Sequence, residues 1–174
     1  LTFFSSNNED LDSNMGVYYT TKEENSILEA DQLESNYNAK LYADPDMQTL
    51  RSISDHNAVH MVCHHDGENV LLGELKIKTE DLIAFFSSKT KFASLNFCNS
   101  FNYKDMMIKY SIYSKGVAQQ LLSRGVETVL THNWELGQNA GLFLTLNHSD
   151  RKLPKQMNQF KPSEYGGYMF WGHI

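Results

Sequence analysis

The chain has 174 residues, of which 41% are hydrophobic and 12% aromatic; that is about one domain in length and excludes an intrinsically disordered chain. Fifteen Lys and Arg against 21 Asp and Glu leave a net charge of −6, which argues against a general nucleic-acid binder with its basic face. No apolar run approaches the roughly 20 residues that span a bilayer, and two cysteines supply neither a disulfide framework nor a structural zinc set.

Residues 1–16 are polar, rich in Asn, Ser and Asp, and read as an irregular lead-in to one domain over 17–174. Val17-Tyr18-Tyr19-Thr20 is a short β-prone run. Thr21-Lys22-Glu23-Glu24 has the form of a capping box, and Ile27, Ala30, Leu33 and Tyr37 recur near helical spacing, so a helix to about Asn36 follows. Ala39 to Ala43 is a second short strand. Asp44-Pro45-Asp46 opens a helix with Met47, Leu50 and Ile53 as its apolar stripe. Ala58-Val59-His60-Met61-Val62-Cys63 is a continuous, mostly apolar run that suits a parallel strand buried on both faces. It ends in the turn signal His64-His65-Asp66-Gly67. Asn69 to Lys78 reads as a strand pair hinged near Gly73. Thr79 to Leu82 opens a helix that buries Leu82, Phe85 and Phe86. Phe92 to Phe97 is a second buried strand, ending at Cys98-Asn99-Ser100. The aromatic and methionine-rich stretch 101–112 has no clear assignment. Lys115 to Arg124 is helical with Gly125 as its stop, Val126 to Thr131 is a third buried strand, Leu136 to about Leu146 a helix, and Tyr168 to Trp171 a last strand.

Strand and helix alternate and the core strands are apolar throughout. That is the pattern of an α/β sandwich with a mainly parallel central sheet flanked by helices. In such sheets the binding crevice lies beyond the carboxyl ends of the strands. His64 and Cys98 each stand just past the carboxyl end of a predicted core strand, 34 positions apart. A strand–helix–strand crossover between them would set the two strands side by side and bring their ends together.

A thiol becomes a strong nucleophile once deprotonated, and a neighbouring imidazole does that. His64 and Cys98 are therefore candidates for a base and a nucleophile; the competing reading is a small buried cysteine beside a hydrogen-bonded loop histidine. Cys63 lies inside an apolar strand, where packing is its role, and His60 reads as a core histidine. The cluster His60, Cys63, His64, His65 and Asp66 also raises a metal site. Residues 60, 62 and 64 share one strand face while Cys63 faces the other, and no second ligand cluster has a standard spacing. His132 stands at the end of the third core strand and is a candidate for a substrate pocket. No phosphate loop, dinucleotide fingerprint or serine-hydrolase elbow occurs, and no cofactor or metal is implied.

The ordered blocks resemble a known family. Val59-His60-Met61-Val62-Cys63-His64-His65 resembles the "LHFAGHG" strand end of CHAT domains, the caspase-like (clan CD) cysteine peptidases related to separase. Ser94 to Ser100 resembles their "LNACxS" strand end, and Gly116 to Val129 their "GLARAFLxAGAxxVV" segment. Trp134 stands where the family often has Trp. Lys161-Pro162 through Tyr168-Met169-Phe170-Trp171-Gly172 resembles the terminal "HPxxWAxFxxxG", and Leu28 to Glu34 is similar to the early helix. The likeness runs from about residue 17 to 172.

The resemblance implies a caspase-like three-layer sandwich. It implies a cysteine endopeptidase with His64 as general base and Cys98 as nucleophile. The oxyanion hole would be the backbone N–H of Cys98 with one in the 65–67 turn, from His65 or Gly67. His65 stands where the family usually has Gly, and a register one residue later would make His65 the base. Asn96, two residues before the cysteine, is a substrate-pocket candidate. Related enzymes that cut after basic residues carry Asp there, so a basic preference is not implied. The resemblance further implies a protein substrate, an N-terminal sensor or tetratricopeptide-like region in a longer chain, and an activating partner such as a CRISPR-linked effector complex. No direct nucleic-acid or membrane binding is expected. The start at Leu1 fits such a fragment, and with no signal-peptide pattern after it a cytoplasmic location is expected. Met106, Met107 and Tyr110, in the loop after the nucleophile, would gate access. A catalytically inactive caspase-like interaction module is the alternative.

Overall fold

A computed structural model of the protein describes residues 14–66, 68–98, 116–132 and 168–172. The strands within these are β1 (Met15–Tyr19), β2 (Lys40–Ala43), β3 (Ala58–His65), β4 (Asn69–Leu72), β5 (Leu75–Lys78), β6 (Phe92–Cys98), β7 (Thr128–His132) and β8 (Tyr168–Gly172). The helices are α1 (Glu24–Tyr37), α2 (Met47–Leu50), α3 (Thr79–Ile83) and α4 over 116–123, and a 3-10 turn at Arg51–Asp55 continues α2. All eight strands join one sheet, whose main path runs β2-β1-β3-β6-β7-β8. Every neighbouring pair on it is parallel except β7 with β8. The antiparallel hairpin β4–β5 extends from the end of β3. The fold is therefore α/β with a mainly parallel central sheet flanked by helices, as the alternating pattern predicts.

Two apolar clusters lie on opposite faces of the sheet. On one face Val17, Tyr19 and Val62 pack against Ala30, Leu33 and Tyr37 of α1. On the other, Tyr18, Val59, Met61, Cys63, Ala93, Leu95 and Val129 pack under Leu50, Ile53, Leu82, Phe86 and Leu121. Strands β3 and β6 run through the middle with both faces buried, which is why they read as unbroken apolar runs. The strand order reverses at β1, since β2 lies on one side of it and β3 on the other. Such a switch point opens a crevice at the carboxyl ends of its strands.

Helix ends follow from local chemistry. Asp46 caps α2, its Oδ1 accepting from the Thr49 N–H at 2.7 Å. Asn38 ends α1 in the left-handed region at φ 53° and donates to Glu34 O. Gly125 at φ 94° closes α4 in a Schellman arrangement, with Gly125 N–H on Leu122 O and Val126 N–H on Leu121 O. Gly73 at φ +60° turns the β4–β5 hairpin, where a Cβ would stand 2.6 Å from Asp44.

Three expectations shift. Strand β1 begins at Met15, inside the expected lead-in, because Met15 and Gly16 pair with Ala58 and Val59 of β3. The capping box does not form: α1 begins after Glu23, whose side chain makes no capping bond, while Thr21 turns to Asp44 through both its N–H and its hydroxyl. The helix over 79–83 is shorter than its apolar stripe suggests. The stretch 101–112 with Met106, Met107 and Tyr110, the helix at 136–146, Trp134 and Lys161-Pro162 lie outside the described residues. Among those described, no helix is long and apolar enough to cross a membrane.

One polar knot ties α1 to the sheet. Glu29 is 2% exposed, His60 2% and Asn96 6%. Glu29 Oε1 stands 2.6 Å from His60 Nε2, and the Asn96 amide donates to Oε1 at 3.2 Å and Oε2 at 3.0 Å. Buried polar groups need such partners. Truncating one member of a buried charged network is expensive because the others stay buried. Glu29→Ala is expected to lower the unfolding free energy by about 3 kcal/mol, read as a fall in the urea midpoint, and Glu29→Gln by less. An unchanged midpoint for Glu29→Ala would show that the knot does not hold α1 in place.

Candidate active site

Strands β3 and β6 pair in parallel over seven residues each, from Ala58 with Phe92 to His64 with Cys98. The last pair sets the backbones of His64 and Cys98 side by side at the carboxyl ends of two central strands. Residues in register on parallel strands share a face, so both belong to the face that α1 covers. The side chain of Cys98 lies outside the described residues; its placement here is that of its backbone. The topology thus brings together the two residues that the sequence singles out.

His64 is held from a second element. Its Nε2 stands 2.6 Å from Oε1 of Glu23, and the two side chains are 25% and 32% exposed. Glu23 ends the connection between β1 and α1, on the other side of the switch point from β6. The pair therefore bridges the end of β3 and the start of α1, in partial contact with water. Sequence reading assigned Glu23 to a capping box and missed this contact. The signal was there: an acidic residue at the N-terminus of a helix that follows the first core strand reaches the crevice by topology.

Deeper on the same face lie His60 and Asn96, each one strand repeat or more before His64 and Cys98. Both are committed to Glu29, which the sequence reading also missed. Glu29 stands on the buried stripe of α1 with Ser26, Ala30, Leu33 and Tyr37. An acid on an inward stripe facing two polar residues in otherwise apolar strands was the available signal. Asn96 was a substrate-pocket candidate; its amide N–H groups go to Glu29, between the sheet and α1.

His65 faces the other way. It is 1% exposed, and its Nε2 is 3.2 Å from Thr79 Oγ1. That hydroxyl donates to Glu68 O at 3.0 Å, so it accepts from an Nε2–H of a neutral His65. Burial pushes the His65 pKa down to about 4. The alternation of β3 thus gives the crevice face to His64 and puts His65 beneath the turn, where it locks the start of α3. This accounts for an imidazole where the resemblance leads one to expect Gly.

The turn after β3 is built by Asp66. Its Oδ1 accepts from the N–H groups of Glu68 and Asn69, and Lys76 Nζ stands 2.7 Å from Oδ2. The Lys76 ammonium, helped by those backbone donors, holds the Asp66 carboxyl well below the usual range. Of the expected oxyanion donors, His65 stands in the β3 ladder opposite Val70, the next N–H, of Asp66, bonds Asn69 O, and Gly67 lies outside the described residues. Cys98 is the last residue of β6. His132 ends β7 opposite Tyr168 of β8, at the same carboxyl edge but beyond β6 from His64. Cys63 is 1% exposed in the opposite core, the environment of a packing thiol.

The five-residue cluster that raised a metal site is dispersed by the strand. His60 turns to Glu29, His64 to Glu23, His65 to Thr79, and Cys63 into the far core. Among the described residues no three His, Cys, Asp or Glu side chains gather as a metal would require.

In comparisons with known proteins, no family model matches the chain and no curated protein matches it.

The buried neutral His65 makes stability depend on pH. Unfolded, His65 takes its proton near its ordinary value of 6.5, whereas folded it resists down to about 4. Its contribution is complete above about pH 6.5 and is lost as pH falls from there toward 4, on the order of 3 kcal/mol. His65→Gln keeps a donor for Thr79 and removes the titration. Urea midpoints at a series of pH values should show the slope in the native protein and a flatter line in the variant; parallel lines would refute it.

Proposed function

We propose that this protein is a cysteine endopeptidase in which His64 activates Cys98. The observation that carries the reading is the β3–β6 register, which sets the two residues opposite one another on one face at the carboxyl edge of the sheet. The resemblance of the surrounding blocks to CHAT domains supports the same assignment.

The chemistry needs no metal or organic group. The imidazole of His64 takes the thiol proton, leaving a thiolate. The thiolate sulfur attacks the scissile carbonyl carbon, and the carbonyl π pair moves onto oxygen. Collapse of that tetrahedral intermediate re-forms the carbonyl and breaks the C–N bond, while the imidazolium gives its proton to the leaving amine. Water, losing a proton to His64, then attacks the thioester, and the thiol leaves with that proton. Backbone N–H groups at the end of β6 and in the turn after β3 would stabilise the oxyanion.

The substrate on this reading is an extended protein segment laid along the carboxyl edge of the sheet. Activity is switched by an attached sensor region or a partner such as a CRISPR-linked effector complex, in the cytoplasm. These rest on the family resemblance.

Cleavage of an unbiased peptide library tests the proposal. The native protein, with its partner if it is gated, is expected to cut, and both Cys98→Ala and His64→Ala to lose at least about 10³-fold in rate. Cleavage that survives either substitution would overturn the dyad. A native protein that neither cuts nor reacts with a thiol-directed probe at Cys98 would point instead to an inactive interaction module.

A further inference from the structure

Glu23 contributes little to its own helix through its side chain. Its carbonyl accepts from Ser26 and Ile27 to close the first turn of α1, but its carboxylate caps none of the N–H groups there. It reaches His64 instead, Oε1 to Nε2 at 2.6 Å. The neighbouring charged groups are committed elsewhere: Lys22 to Glu74, Asp66 to Lys76, and Glu29 to His60. Among the described residues, Glu23 is thus the carboxylate paired with the imidazole that stands in register with Cys98.

A neutral imidazole carries one N–H, and a carboxylate facing one nitrogen fixes the proton there. With Nε2–H donating to Glu23, the basic lone pair is at Nδ1. The same carboxylate faces the ring when it carries the proton taken from the thiol, a charge-assisted contact. Both effects favour an imidazolium–thiolate pair over a neutral imidazole and thiol. The hold comes from two places in the chain, β3 and the residue just before α1, so it fixes the ring in direction as well as tautomer.

We infer that Glu23 is the positioning residue of the base, so that the site works as a Glu23–His64–Cys98 triad. This rests on the peptidase reading above.

The test is the alkylation rate of Cys98 by iodoacetamide in the full chain, with peptide mass spectrometry separating Cys98 from Cys63. Native protein, Glu23→Gln, Glu23→Asp and His64→Ala are compared at about pH 6.5 and about pH 9.5, either side of an ordinary thiol pKa near 8.5. Glu23→Gln is expected to react about tenfold more slowly at the lower pH, where the thiolate depends on its ion pair, and within about twofold of native at the higher. Glu23→Asp restores most of the low-pH rate. Nitrogen-15 spectra of the His64 ring are expected to show the Nε2–H tautomer in native protein and a mixture in Glu23→Gln. An equal slowing at both pH values, no slowing, or an unchanged tautomer would overturn the role of Glu23. If His64→Ala slows Cys98 and Glu23→Gln does not, only the positioning role falls. If His64→Ala leaves the low-pH rate of Cys98 at the native value, the dyad falls, and the triad with it.

Discussion

The register between β3 and β6 governs everything else in this protein. Side chains alternate along a strand, so a slip of one residue would send His64 and Cys98 to opposite faces. Three separate sets of contacts oppose that slip. Val59, Met61 and Cys63 share one core with Ala93 and Leu95. Val62 belongs to the other core, under α1. His60 and Asn96 meet at a single carboxylate, Glu29. Apolar packing alone tolerates sliding between similar side chains; a buried hydrogen-bonded carboxylate does not, because any other register leaves it unsatisfied.

Helix α1 and the residue just before it bring two acids toward the sheet, and they are used differently. Glu29 is enclosed, so it acts on the fold. Glu23, just before the helix and about one-third exposed, meets His64 at the carboxyl edge of the sheet. The difference is one of depth along the same face: six residues on a helix advance about 9 Å, which carries the chain from the core to the edge of the sheet. Anchoring by Glu29 fixes the height and rotation of α1, and so fixes where Glu23 arrives.

The turn that follows β3 separates two adjacent histidines by the pleat. His64 stays with the crevice, and His65 goes under the hairpin to Thr79. Asp66 then folds the chain back with three local contacts to Glu68, Asn69 and Lys76. On the proposed peptidase reading these contacts matter, because the backbone beside His64 is where an oxyanion donor would be placed.

The sequence by itself determined the class of fold and, over the described residues, the order of strands and helices, and it singled out His64 and Cys98 as two residues at strand ends. Those follow from local rules: apolar runs bounded by turn signals, glycine at a helix stop, aspartate at a helix start. It also left Asn96 and the histidines of β3 as polar residues without known partners, since side-chain periodicity gives a face and not a neighbour. Tertiary structure decided the rest. Strand order placed β1 between β2 and β3, which brought Glu23 to His64 across 41 residues of chain and Glu29 to Asn96 across 67. It also turned the supposed capping box into two other contacts, Thr21 to Asp44 and Glu23 to His64. A carboxylate at a helix start satisfies either the helix or a distant imidazole, and only the packing of α1 on the sheet settles which.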